Sequence, residues 1–185
     1  MSTKAILKAF KKDPDIVHDI QDLTSPPKKD LTKAKFRNKN IKKNTYHSMD
    51  LLYLTHDGDY KYLLVIVDVA TRAVDAEPLK ERDGDTVYTA FKKIYAENRK
   101  PKYLNTPHII HMDAGTEFSK IKEELPELNI AYRVASTNRH SQQAVVEAMN
   151  KIIGTTITKL QLYKELEEHS ESHAWVQYLP TILKR

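Results

Sequence analysis

Three acidic residues in three different settings could together do chemistry. Asp50 lies within His47-Ser48-Met49-Asp50-Leu51-Leu52, Asp113 within Ile109-Ile110-His111-Met112-Asp113-Ala114-Gly115, and Glu147 within Gln142-Gln143-Ala144-Val145-Val146-Glu147-Ala148-Met149-Asn150. The first two sit in or at the end of apolar, strand-like runs, and the third opens an amphipathic helix. A buried carboxylate is costly unless it is neutralised, paired or bound to metal, and three gathered together repel one another unless cations lie between them. Brought together, they have the electrostatic layout of a divalent-metal site that cuts and joins phosphodiesters. Each also has a simpler reading, with Asp50 and Asp113 as salt-bridged structural acids and Glu147 as a first-turn acid favoured by the helix dipole.

The elements that must position them follow from periodicity and turn chemistry. Apolar runs at 46–55 and 60–68 flank His56-Asp57-Gly58-Asp59, a strong hairpin signal. Thr71-Arg72 turns the chain into a third strand at 73–77, stopped by Pro78, which completes an antiparallel meander. Val87, Ala90, Phe91, Ile94 and Tyr95 recur at helical spacing behind a cap at Asp85 or Thr86. A buried strand at 108–112 follows, and the right-handed crossover rule places it parallel to the first strand and beside it. Asp50 and Asp113 then become neighbours. A helix at 118–124, a short strand at 130–134 and a long helix from about 143 complete the pattern. That last helix carries an apolar stripe of Val146, Met149, Ile153, Ile157 and Leu160, with a bend expected near Gly154 and its neighbouring threonines.

Composition limits the setting. The apolar fraction of 40% over 185 residues is enough for a true core. No run is long enough for a membrane helix and the amino terminus lacks a secretory apolar block, so a soluble, intracellular protein is expected. Cysteine is absent, which excludes disulfides, a thiol nucleophile and thiolate zinc sites. The positive charge is concentrated: residues 1–44 hold twelve Lys or Arg against five Asp, whereas the remainder holds eighteen against twenty acids. Within that segment Lys28, Lys29, Lys33, Lys35, Arg37, Lys39, Lys42 and Lys43 face only Asp30. Such a run is either a solvated leader or an arm for a polyanion, and beside a phosphodiester site DNA is the natural partner. Two domains are expected: short helices and a basic arm over 1–44, and a catalytic core over 45–185.

The order of elements and four local motifs resemble the catalytic core of retroviral and retrotransposon integrases, most of all those of Polinton or Maverick-type transposons and related large-virus or virophage elements. The motifs are Asp50 in the first strand, Val67-Asp68-Val69-Ala70-Thr71-Arg72, Asp113-Ala114-Gly115-Thr116-Glu117-Phe118, and Ser141-Gln142-Gln143-Ala144-Val145-Val146-Glu147-Ala148-Met149-Asn150-Lys151. The resemblance implies an α/β, ribonuclease H-like fold with a mixed five-stranded sheet flanked by helices. It also implies a DNA integrase, a nucleotidyltransferase with endonuclease activity. Asp50, Asp113 and Glu147 would hold two Mg²⁺ ions, with Mn²⁺ as a substitute. Water would first cut near the element's end, and the exposed 3′-hydroxyl would then attack target DNA. Gln143 and Lys151 would touch the DNA, self-association into a dimer or higher oligomer is implied, and the site of action is the nucleus or wherever the element's DNA lies. This sequence departs from the family in three places: a shortened stretch of thirty-three residues between Asp113 and Glu147, Ala144 where glycine is common, and Ala114 where asparagine is frequent. The retroviral zinc module needs cysteines and cannot be present.

Other candidates have plainer roles. Lys151 is either a DNA contact or an i,i+4 partner of Glu147. Asp68 ends a strand and is expected to pair with Arg72. His108 and His111 are expected along one strand face, as a packed pair or shared ligands, and His169 and His173 have helical chelating spacing on a solvated face. Trp175, Tyr178, Leu179 and Leu183 read as core or interface. Leu183-Lys184-Arg185 reads as an unfinished helix, so a core lacking a carboxy-terminal DNA-binding domain is an expectation. A catalytically silent DNA-binding relative and a hydrolytic nuclease of the same fold are the alternative functions. Deleting residues 25–44 should flatten the dependence of DNA affinity on salt, because fewer counterions are released; titrations of a labelled duplex at several salt concentrations with an unchanged slope would reject the arm.

Overall fold

Two apolar runs pair as a hairpin. In the computed structural model, which describes residues 41–135 and 143–184, β1 (Tyr46–Asp57) and β2 (Tyr60–Asp68) pair antiparallel around Gly58 and Asp59. Gly58 adopts φ +59°, a left-handed conformation that costs glycine nothing. β3 (Val74–Leu79) joins β2 on its other side. Pro78 does not stop this strand as expected, but pairs with Leu63 inside it. The outer position of β3 in the sheet explains the tolerance, since an edge strand can spare one N–H.

α1 (Gly84–Tyr95) is capped by Asp83, two residues before the first of the expected caps, Asp85 and Thr86: its Oδ1 accepts from the amides of Asp85 (3.1 Å) and Thr86 (3.0 Å). The chain then crosses to β4 (Ile109–Met112), which lies parallel to β1 as the crossover rule requires. A 3-10 turn (Thr116–Phe118) and α2 (Ser119–Glu124) lead to β5 (Ala131–Val134), parallel to β4. The mixed five-stranded sheet has the order β3-β2-β1-β4-β5. Strand alternation puts Met49 and Leu51 on one face, where they form a core with Leu64, Ile66, Ile110, Met112 and the apolar side of α1, above all Phe91 and Ile94. Asp50 therefore faces the other way.

A buried ion network ties the segment after α1 to the outer strand. Both oxygens of the fully buried Asp75 accept from Arg99, at 2.7 and 2.6 Å, and the same guanidinium reaches Glu77 and the carbonyl of Ala76. Burial raises the Asp75 pKa, and Arg99 offsets part of that rise.

The described residues divide into two compact units, one ending at Lys151 and one beginning at Ile152. α3 (Ala144–Glu168) contributes to both. It runs unbroken past Gly154, whose carbonyl accepts from Thr158 Oγ1 (3.1 Å), and the expected stripe from Val146 to Leu160 is buried. In the second unit Trp175, Leu179 and Leu183 are buried as expected, around a 3-10 turn (Val176–Tyr178) and α4 (Leu179–Leu183). His169, at φ +52°, lies past the end of α3, so it shares no helical face with His173, which instead meets Glu171 at 2.8 Å. His108 and His111 also fail to share a face. Residues three apart on an extended chain point to opposite sides, and His111 sits edge-on to Tyr46 while His108 is exposed. Asp68 is buried, and its carboxylate accepts from Ala70 N, Thr71 Oγ1 and Asn44 N rather than from Arg72, whose own backbone turns at φ +66°. The short helices expected before residue 24 and most of the basic linker lie outside the described residues. Among the described residues no helix is long and apolar enough to cross a membrane.

Replacing Arg99 with Gln should destabilise the fold by about 3–5 kcal/mol, since it strands a buried carboxylate. The loss should be larger at pH 8 than at pH 5, where Asp75 can take up a proton; urea unfolding at the two pH values checks both the size and the trend.

Candidate active site

Backbone pairing decides where the first two acids meet. β1 and β4 are in register through Ser48 opposite His111, and the same offset carried two residues further sets Asp50 level with Asp113. Both follow the alternation away from the α1 core and are partly buried. Glu147 enters from the first turn of α3, exposed, with its amide bonded to the Gln143 carbonyl (3.0 Å).

Asp50 is held from two directions. The Leu51 amide donates to Oδ1 (2.9 Å) and the Asn150 side chain donates to Oδ2 (2.8 Å). Asp113 is held more locally, its Oδ1 accepting from the Gly115 amide at 2.8 Å. Burial pushes the Asp50 carboxyl up to about 6, against the lowering effect of the Leu51 hydrogen bond; the negative charges of Asp113, Glu147 and Glu117 push it further. The charges of the other two acids singled out in the sequence, and of Glu117, therefore all reach Asp50.

Glu117 and Asn150 were quoted within motifs but given no role from sequence. The helical period held the signal for Asn150, because three and four residues beyond Glu147 share its side of the helix, and Lys151 drew attention by its charge. Glu117 carried no such signal. Its position comes from the 3-10 turn, which folds its carboxylate over Gly115 so closely that a Cβ there would lie 2.5 Å from Oε2.

Lys151 is exposed and makes no ion pair with Glu147 among the described residues, so the i,i+4 pairing does not form. Gln143 is half-buried with its Nε2 unpartnered. Lys42 and Lys43 are exposed just before β1, whereas Lys35, Arg37 and Lys39 lie outside the described residues. Among the described residues no three His, Asp or Glu side chains already converge as ligands of one ion. The donor chemistry of the three acids suits a hard divalent ion: all the donor atoms are oxygen, and each hydrogen-bonded carboxylate oxygen retains a further lone pair.

Residues 41–153 match the integrase core domain family. The Gag-Pol polyprotein of avian reticuloendotheliosis virus is 31% identical over 134 residues, 71% of this chain and 11% of the polyprotein. The Pol polyprotein of feline endogenous virus ECE1 is 34% identical over 115 residues, 61% of this chain and 10% of its own length. The chain thus spans about a tenth of these relatives. Among solved structures, the integrase catalytic core domain of HTLV-2, determined in complex with magnesium in a trimeric form, superposes with a TM-score of 0.56 at 20% identity. The match covers 76% of this chain and 83% of that one, and the shared architecture is the ribonuclease H-like fold.

Two groups give stability opposite pH slopes. His47, buried against Tyr95, has its pKa lowered by burial to about 4, so its contribution is complete above about 6.5 and is lost as pH falls toward 4. Asp50 is raised to about 6, so its contribution is complete below about 4 and is lost as pH rises through 6. Asp50→Asn removes only the second. The variant should gain about 2–3 kcal/mol relative to the unsubstituted protein between pH 4 and pH 7, measured by urea unfolding; a difference that does not vary with pH would mean that Asp50 ionises like an exposed carboxylate.

Proposed function

The chain belongs to the integrase core domain family, and from that premise we propose that it is the catalytic core of a divalent-metal-dependent DNA integrase, which processes element ends and joins their 3′-hydroxyls to target DNA. The observation that carries this reading is geometric: the β1–β4 register sets Asp50 level with Asp113, and Asn150, one turn beyond Glu147, bonds the Asp50 carboxylate, whose pKa burial and the neighbouring negative charges raise. Stacking negative charge on a half-buried carboxyl is unfavourable by itself, and a substrate-binding cation site is the use of such an arrangement that best accounts for it.

In this reading Asp50, Asp113 and Glu147 hold the metal. Two bound Mg²⁺ or Mn²⁺ ions supply activation of an attacking oxygen and charge stabilisation at the leaving oxygen. The protein's own contribution is placement. Asn150 and the Leu51 amide fix the Asp50 carboxylate, and the Gly115 amide fixes that of Asp113. No serine, threonine or cysteine nucleophile is required, because water or a DNA hydroxyl attacks. Lys151, free of Glu147, would meet a phosphate, and the unpartnered amide of Gln143 would hydrogen-bond the DNA end. Lys42 and Lys43 would continue the basic arm toward the same polyanion. Assembly as a dimer or higher oligomer, acting wherever the element's DNA lies, belongs to the same proposal.

Incubation with Mg²⁺ or Mn²⁺, a duplex mimicking an element end and a plasmid should yield joined products. Asp113→Asn should lower their yield roughly 10²–10³-fold, the scale of losing one preorganised electrostatic group, while leaving duplex binding intact. Cleavage without joining would redirect the assignment to a hydrolytic nuclease, and binding without any metal-dependent product to a silent relative.

A further inference from the structure

The face of the sheet that carries the acids also carries an exposed arginine. Arg133 on β5 is level with His111 on β4, and His111 precedes Asp113 by two residues, so alternation turns Arg133, His111, Asp113 and Asp50 to the same side. Met49, Leu51, Ile110 and Met112 occupy the other side, against α1. One strand across and two residues along, the Arg133 Cα is about 8 Å from that of Asp113 by standard strand spacings.

The arginine is held in place without being used up. Its guanidinium carbon lies 5.9 Å from the ring centre of Tyr46, at the start of β1, and that ring packs edge-on against His111 with centroids 5.4 Å apart. A ring face occupies none of the five N–H donors, and among the described residues the Arg133 side chain makes no hydrogen bond and no ion pair. Other cations are engaged: Lys61 with Glu81, Lys80 with Asp59 and Lys120 with Glu124, while Arg82 donates to the Tyr53 hydroxyl on the α1 side of the sheet. A stacked guanidinium loses little freedom on binding, and its fork matches two oxygens of a phosphate. Lys42 and Lys43, exposed just before Tyr46, extend the positive charge at that end of β1.

We propose that Arg133, seated on Tyr46, binds a backbone phosphate of the DNA strand whose reacting phosphodiester lies at Asp50 and Asp113. The contact rests on the reading of this core as acting on DNA. Tyr46 precedes Asp50 by four residues, about 13 Å along the strand. At about 3.4 Å per nucleotide in a duplex strand, the bound phosphate is roughly three or four steps from the reacting one. An element end or a target strand offers the same phosphate, and the assays separate the two.

The test measures anisotropy of a labelled linear duplex with the full chain and its variants across a range of salt, with closed-circular plasmid as unlabelled competitor. Arg133→Gln should weaken binding of the linear duplex about tenfold and reduce the salt slope by about 0.9, one phosphate contact. Arg133→Lys keeps the charge and should restore the slope with only part of the affinity. Lys92→Gln removes a cation stacked on Tyr88 of α1, on the opposite side of the sheet, and is the control for net charge. Competition by the circle that weakens in step assigns the contact to backbone away from DNA ends, whereas competition that is unchanged assigns it to an end. A neutral methylphosphonate about three or four steps from the reacting phosphate should lower joining by the parent chain and have no further effect on Arg133→Gln; an equal penalty in both would overturn the placement. Arg133→Gln with the affinity and slope of Lys92→Gln, in protein that melts at the unsubstituted temperature, would overturn the contact even where the parent chain makes joined product. Failure of the parent chain to make product, with Arg133→Gln still defective in binding, would reject the catalytic reading and leave the phosphate contact standing.

Discussion

Everything at the candidate centre depends on the parallel pairing of β1 with β4. Side-chain repulsion would separate Asp50 from Asp113, and nothing local to either residue draws them together. Interstrand hydrogen bonds oppose it, and they are made by backbone atoms that a carboxylate's charge disturbs little. The apolar residues on the other side of the same strands, Met49, Leu51, Ile110 and Met112, lock the register through burial against α1. A one-residue slip of either strand would turn that strand's acid into the apolar layer and away from the other, so the packing that stabilises the sheet also orients the acids.

The acids occupy graded environments. Asp50 is the most constrained, with hydrogen bonds from β1 and from α3 and the negative charge of three other carboxylates. Asp113 leaves the end of a short strand and is restrained by its own turn, while Glu147 is exposed on the first turn of a helix. Burial and hydrogen bonding thus fall from the strand to the helix. Glu117, held over Gly115, adds negative charge and has no hydrogen-bond or ion-pair partner among the described residues.

Much of this arrangement was legible beforehand because it is written in short-range patterns. Apolar runs marked β1 and β2, the Asp-Gly pair marked their turn, the helical stripe from Val146 to Leu160 marked α3, and the crossover rule put β4 beside β1. The misreadings came where a local rule met a tertiary condition. Pro78 continues a strand because that strand lies at the edge, Asp68 is served by its own turn and by Asn44 rather than by Arg72, and His169 turns out of the helix that its spacing to His173 assumed.

By itself, then, the sequence determined the elements, their handed connection, the family resemblance and the three acids with a claim to one site, since periodicity, turn propensity and charge are properties of a few neighbouring residues. Only the tertiary structure decided that Asn150 reaches Asp50, that Lys151 does not pair with Glu147, that Glu117 adds its charge to the group, and that Arg82 rests on Tyr53. Those contacts join residues far apart in the chain, and their existence depends on the crossing of helix and strand and on which rotamers the packed core leaves open. No pattern along the sequence encodes such distances, because they result from many weak burial terms acting together.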